Sequence, residues 1–172
     1  FVIGPCLNAS GRLDSAKKGL ELLLMEDDEE AKYLAQEIVD LNDARKNMTK
    51  EGVDRAINII DSTDINNDNI LVVYIPDIHE SLAGIVAGRV KEKYNKPTII
   101  LTKSEEGVKG SARSIEEYNM FEGLLACKEL LDKFGGHPMA AGLSLQEDKV
   151  DELRIALNNK CELTDEDLTR KI

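Results

Sequence analysis

Ile70-Leu71-Val72-Val73-Tyr74-Ile75 is a continuous apolar run with no polar residue to mark a solvent face. A strand of this kind is buried on both sides, as in a sheet that carries helices on each face. The segments that follow repeat the theme. Ser81 to Tyr94 has the spacing of an amphipathic helix, with Leu82, Ile85, Val86 and Val90 inward. Pro97 opens a second apolar strand, Thr98-Ile99-Ile100-Leu101. Gly107 to Ser114 reads as a third extended segment, Asn119 or Met120 to Leu131 as a helix, Gly142-Leu143-Ser144-Leu145 as a short strand, and Asp148 to Asn159 as a further helix. Strands alternating with helices predict an α/β fold, a sheet flanked by helices, over residues 63–160.

Upstream of the sheet, Thr63 to Asn69 is a polar linker or turn. Before it, Asp27 and Asp28 start a long helix over residues 28–62. Leu34, Ile38, Leu41, Met48, Ala56 and Ile60 recur in it at helical spacing, and Gly52 interrupts it. A one-sided helix of this length beside a sheet domain reads as a connector between domains. Residues 1–27 read as the tail of an upstream domain. Phe1-Val2-Ile3-Gly4-Pro5 has strand character, Asn8-Ala9-Ser10-Gly11-Arg12-Leu13 is a loop signature, and Asp14 or Ser15 caps a short helix to Leu24. The chain opens on Phe1 rather than Met, which reads as a piece of something longer. Residues 161–172 form a charged C-terminal tail expected to fray.

The chain has 172 residues, 42% hydrophobic but only 4% aromatic, so its core is aliphatic. A formal net charge of -11 repels a phosphate backbone and excludes a protein that coats DNA without regard to sequence. A local anion site remains compatible with it. Cys6, Cys127 and Cys161 are far apart and form neither a zinc spacing nor a disulfide framework, and a reducing cytoplasm is the simplest setting. No apolar run is long enough to span a bilayer.

Four constellations carry chemistry. In Phe134-Gly135-Gly136-His137-Pro138-Met139-Ala140-Ala141-Gly142, the paired glycines let backbone approach a ligand, the residues through Ala141 suit a short helical turn with free amides, and His137 suits a phosphate oxygen. A tight turn with a satisfied histidine fits the same residues. In Lys109-Gly110-Ser111-Ala112-Arg113-Ser114, Ser111 and Arg113 share one side of a strand, where a guanidinium grips phosphate bidentately and a hydroxyl adds a bond. A solvated edge strand fits equally well. In His79-Glu80-Ser81-Leu82-Ala83-Gly84-Ile85-Val86-Ala87-Gly88-Arg89, Gly84 and Gly88 permit close backbone contact with the sheet, and His79 is either a cap or a cleft residue. Arg12 is a phosphate contact, an interdomain contact or a plain loop arginine. No Walker loop, nucleophile elbow or two-metal cluster of Asp and His occurs.

Together these segments resemble the RecJ family of the DHH phosphoesterase superfamily. Gly4 to Leu13 resembles the close of the catalytic DHH domain, residues 28–61 the family's connector, and His79–Arg89, Lys109–Ser114 and Phe134–Gly142 the signature segments of the DHH-associated domain. The resemblance implies a 5′-to-3′ exonuclease on single-stranded DNA, at work in DNA repair and recombination. Mn2+ or Mg2+ would sit in the N-terminal DHH domain, which this chain lacks together with its Asp-His-His motif. The chain itself would hold no metal, and alone it would not hydrolyse DNA. Ser111, Arg113 and Ser114 match the segment that anchors the strand's 5′ end. Gly135, Gly136 and His137 match the loop facing the scissile phosphate, which makes His137 the candidate catalytic residue. Arg12 matches a cleft arginine, and His79 completes the candidate phosphate-binding set. The partners implied are single-stranded DNA and the chain's own DHH domain, without a membrane. Cys6 stands where the family often has arginine, so one backbone contact is in doubt. A phosphodiesterase of short oligonucleotides or cyclic dinucleotides is the enzymatic alternative, and a binding module that lost its chemistry is the other.

Overall fold

The structure is a computed structural model that describes residues 3–169. The chain divides into two units, one up to Glu51 and one from Gly52 onward.

In the first unit, helix α1 (Ile3–Leu13) is followed by helix α2 (Ala16–Leu24) and by the start of helix α3 (Asp28–Ser62). The expected loop at Asn8–Leu13 is therefore helical, and of the expected strand Phe1–Pro5 the described part, from Ile3, is helical too. Pro5 is tolerated because it falls in the first turn, where its missing N–H has no helical partner to lose. The small residues that read as a loop are packing positions. Ala9 and Ser10 are wholly buried. A Cβ on Gly11 would touch Ala16, and one on Gly19 would touch Leu7 and Ser10. Two helices approach this closely only where side chains are short. Ser15 caps α2 through the amide of Lys17, and Asp27 caps α3 through the amides of Glu29 and Glu30 at 2.9 Å each.

The second unit holds a five-stranded sheet. Its strands are β1 (Leu71–Tyr74), β2 (Thr98–Ser104), β3 (Gly107–Arg113), β4 (Lys133–His137) and β5 (Ala140–Leu145), in the order β1-β2-β3-β5-β4. β1 and β2 are parallel, joined by helix α4 (Ala83–Tyr94), and the remaining pairs are antiparallel. Helix α5 (Met120–Leu125) precedes β4, and helix α6 (Val150–Asn159) follows β5. α5 is shorter than the expected span to Leu131, because a single 3₁₀ turn, Lys128–Leu130, replaces its second half. Ile85 is half-buried rather than inward, and Met48 is 37% exposed.

Two apolar clusters lie on the two faces of this sheet. One joins Ile70, Val72, Ile99, Leu101, Val108, Ala112, Leu143 and Leu145 to Met120 and Leu124 of α5 and Leu153 and Leu157 of α6. The other joins Leu71, Val73 and Ile100 to Ala83, Val86 and Val90 of α4 and to Ala56 and Ile60 of α3. The alternation within β1, with Leu71 and Val73 on one side and Val72 on the other, confirms a strand covered on both faces. The second cluster takes residues from β1 and β2 and none from β3, β5 or β4. On the α4 side, the helix covers β1 and β2 and reaches β3 at Gly84, beside Ser111 and Arg113, whereas Gly142 of β5 and Gly135 of β4 are exposed.

Candidate nucleic-acid interface

Strand register assembles this face row by row. Arg113 pairs with Ala140, and Ala140 with His137. Ser111 pairs with Gly142, and Gly142 with Gly135. Lys109 pairs with Ser144, and Ser144 with Lys133. Residues directly opposite in antiparallel strands point to the same side. The alternate residues Val108, Ala112, Ala141, Leu143 and Leu145 are buried in the opposite cluster, so these three rows face away from it. Two strand spacings separate the Cα atoms of Arg113 and His137, about 10 Å.

Arg113 is positioned from the helix side. An ideal Cβ on Gly84 would lie 2.6 Å from Nη2 of Arg113 and 3.6 Å from Cβ of Ser111. The bare α4 backbone at Gly84 is therefore the seat of the guanidinium, which also donates from Nη1 to the carbonyl of Ala112 at 2.7 Å. Gly84 makes the close approach read from the sequence, whereas Gly88 has nothing within 4 Å of its Cβ position and makes none. Ser114 is 1% exposed, its hydroxyl donates to the carbonyl of Tyr118 at 2.7 Å, and its amide donates to that of Met139. It ties the end of β3 to the β4–β5 turn and is engaged there.

The Gly-Gly-His segment is a strand and a tight hairpin, not the opening of a helical turn. β4 ends at His137, Pro138 and Met139 make the turn, and β5 begins at Ala140. The anion argument from free helical amides does not apply here. What replaces it is bare backbone at the sheet's edge, where a strand leaves its outer N–H and C=O groups unpaired. Gly135 is exposed with nothing within 4 Å of its Cβ position. Gly136 has φ +149, and a Cβ there would run into the carbonyl of Ala140. His137 is exposed, and its Nδ1 accepts from the amide of Met139 at 3.4 Å.

His79 is a cap. Its Nδ1 accepts from the amide of Ser81 at 3.3 Å, capping the 3₁₀ turn Glu80–Leu82, and it also lines an open groove with Ile78, Glu80, Lys103 and Lys109. The loop that carries it is held from two sides. The buried Thr102 hydroxyl donates to the carbonyl of Ile78 at 2.7 Å. Arg55 forks onto Asp77 at 2.6 and 3.0 Å and holds that carboxyl below its ordinary range. Lys109 reaches Glu80 at 3.2 Å. Arg12 stands exposed in the last turn of α1, in the first unit. A second groove, beside α5 and α6, is lined by Glu117, Glu122, Glu162 and Asp167 and is the wrong sign for phosphate.

Lys109, Lys133, Gly142 and Ser144 join the face without having been singled out as site residues. Lys109 follows from the strand alternation of Ser111 and Arg113, and Gly142 closes the quoted glycine segment, while Lys133 and Ser144 are brought to them only by the pairing of β5 with β3 and β4. Among the described residues no group of three or more His, Cys, Asp or Glu is placed to hold a metal ion. Among them, too, no helix is long and apolar enough to cross a membrane.

Residues 67–163 match the DHHA1 domain family. The chain is 40% identical to the single-stranded-DNA-specific exonuclease RecJ of Bacillus subtilis, over 99% of this chain and 22% of that protein. It is also 40% identical to the RecJ of Escherichia coli, over 87% of this chain and 27% of that one. Among solved structures, RecJ of Thermus thermophilus in complex with Mg2+ superposes with a TM-score of 0.82 at 30% identity, covering 92% of this chain and 24% of that one. The complex of the same protein with Mn2+ gives 0.81, again at 30% identity and over 92% of this chain and 23% of that one. The chain thus spans about a quarter of the relatives it matches. By sequence and by fold it belongs to the DHHA1 domain family, in the form found in RecJ.

Proposed function

We propose that this chain is the substrate-gripping part of a RecJ-like 5′-to-3′ exonuclease, acting on single-stranded DNA in the repair and recombination of a cytoplasmic genome. The observation that carries the reading is the shared face. Arg113, Ser111, the bare glycines 135 and 142, and His137 all lie on one side of one sheet, Arg113 and Ser111 half-buried beside Gly84 of α4 and the other three exposed. Arg113 takes the terminal 5′ phosphate bidentately, with Ser111 adding a hydroxyl bond, and the strand passes over the glycines toward His137. His137 stabilises charge that develops on the scissile phosphate. Hydrolysis needs the divalent ions carried in the Mg2+ and Mn2+ complexes of the Thermus relative. In the whole enzyme these belong to the DHH domain, and this chain binds and orients the strand.

Arg113→Ala, measured in the complete protein, is expected to weaken binding of a 5′-phosphorylated oligonucleotide by about tenfold or more, and of its 5′-hydroxyl counterpart far less. Equal losses for both would remove the terminal-phosphate role. His137→Ala is expected to lower turnover more than affinity, and an unchanged rate would take the histidine out of the chemistry.

A further inference from the structure

We propose that the row Lys109–Ser144–Lys133 is a second phosphate site, so that this face holds a strand by at least two phosphates rather than by its end alone. The proposal rests on the reading of Arg113 and Ser111 as the anchor of the first phosphate. Three observations carry it. The register puts Lys133, Ser144 and Lys109 in one row on that side of the sheet, two rows from Arg113. At a rise of about 3.4 Å per residue, successive rows stand about 7 Å apart, on the order of one nucleotide step in an extended strand. The intervening row is Ser111, Gly142 and Gly135; Gly84 of α4 stands beside Ser111, while Gly142 and Gly135 are exposed and carry no side chain to obstruct a sugar or base.

The charges of this row are available. Lys133 is exposed and has no hydrogen-bond or ion-pair partner among the described residues. Asp132, its acidic neighbour, is turned away to accept from Gln146 at 2.8 Å. Lys109 is held by Glu80 at 3.2 Å, with both side chains 55% exposed, a water-screened pair that a phosphate displaces at little cost. Ser144 lies between the two lysines and supplies a hydroxyl.

The test measures equilibrium binding of 5′-phosphorylated thymidine oligomers, from one nucleotide to six, to the complete protein with divalent metal chelated. Affinity is expected to rise with length. Lys133→Ala is expected to cost the hexanucleotide about fivefold more than the mononucleotide, and Lys133→Arg to restore it. The slope of log K against log salt for the hexanucleotide should flatten by about 0.7 in Lys133→Ala. Affinity that is independent of length, or equal losses for both oligomers, would overturn the second site. Either result, together with a mononucleotide weakened by Arg113→Ala, leaves the anchor reading intact. A mononucleotide untouched by Arg113→Ala would sink the anchor, and the two-site geometry with it.

Discussion

Gly135 and Gly136 are neighbours that are glycine for opposite reasons. Gly136 is glycine for the fold. Its φ of +149 is closed to side chains, and its Cβ position lies 2.5 Å from Cα of Ala141. Gly136→Ala is therefore expected to destabilise the protein by about 2 kcal/mol or more, read as a lowered midpoint in urea. Gly135 has free space around it. Gly135→Ala should leave that midpoint within about 0.5 kcal/mol of the parent while weakening oligonucleotide binding, and unchanged binding would show that nothing approaches this backbone. Gly84 belongs with Gly135 in purpose, since the group nearest its missing side chain is the guanidinium of Arg113. The dipeptide Gly-Gly announces a close approach without saying of what. Only the pairing of β4 with β5 separates the glycine that shapes the turn from the one that faces outward.

Elements were legible in the sequence in proportion to their burial. β1 and β2 stand out because Ile70–Ile75 and Thr98–Leu101 are apolar throughout, and most of their residues are wholly buried. α3 was legible from Asp27 to its end, since its cap and its stripe are both local signals. The hairpin of β4 was not legible. All but one of its residues are exposed, so no alternation marks it, and Pro138 after a glycine pair imitates a helix start. α1 was missed because Ala9, Ser10 and Gly11 serve a helix–helix contact that composition cannot distinguish from a loop. One tie between elements rests on a single side chain. Asn158, at the end of α6, accepts from the amides of Asn69 and Ile70 and donates to the carbonyl of Ile70, each at 3.0 Å. Asn158→Ala leaves these backbone groups half-buried without partners and is expected to cost about 2–3 kcal/mol in denaturant unfolding, with faster amide exchange at Ile70. A cost below about 0.5 kcal/mol would show that water replaces it freely.

Over the whole molecule, burial is uneven, and local stability should follow it. Amides of β2 and β3, beside the wholly buried Ile99, Ile100 and Ala112, are expected to exchange most slowly with deuterium. Those of α2, where Leu20, Leu23 and Leu24 are 58%, 67% and 71% exposed, should exchange far sooner, and protection of α2 equal to that of β2 would contradict this ordering. The net charge of -11 governs long-range approach, while the rows on the Arg113 face govern contact, so binding should be more sensitive to salt than the overall charge implies. The strand that offers bare backbone to a ligand is also the last strand of the sheet, and that position exposes it to a different hazard. An outermost strand with open amides is a template for a copy of itself, the first step toward fibrils. β4 is poor material for such growth. Two of its five residues are glycine, one is lysine, and proline follows directly. Replacing Lys133 and Gly135 with valine or isoleucine would strengthen the strand and convert a docking edge into a seed for aggregation.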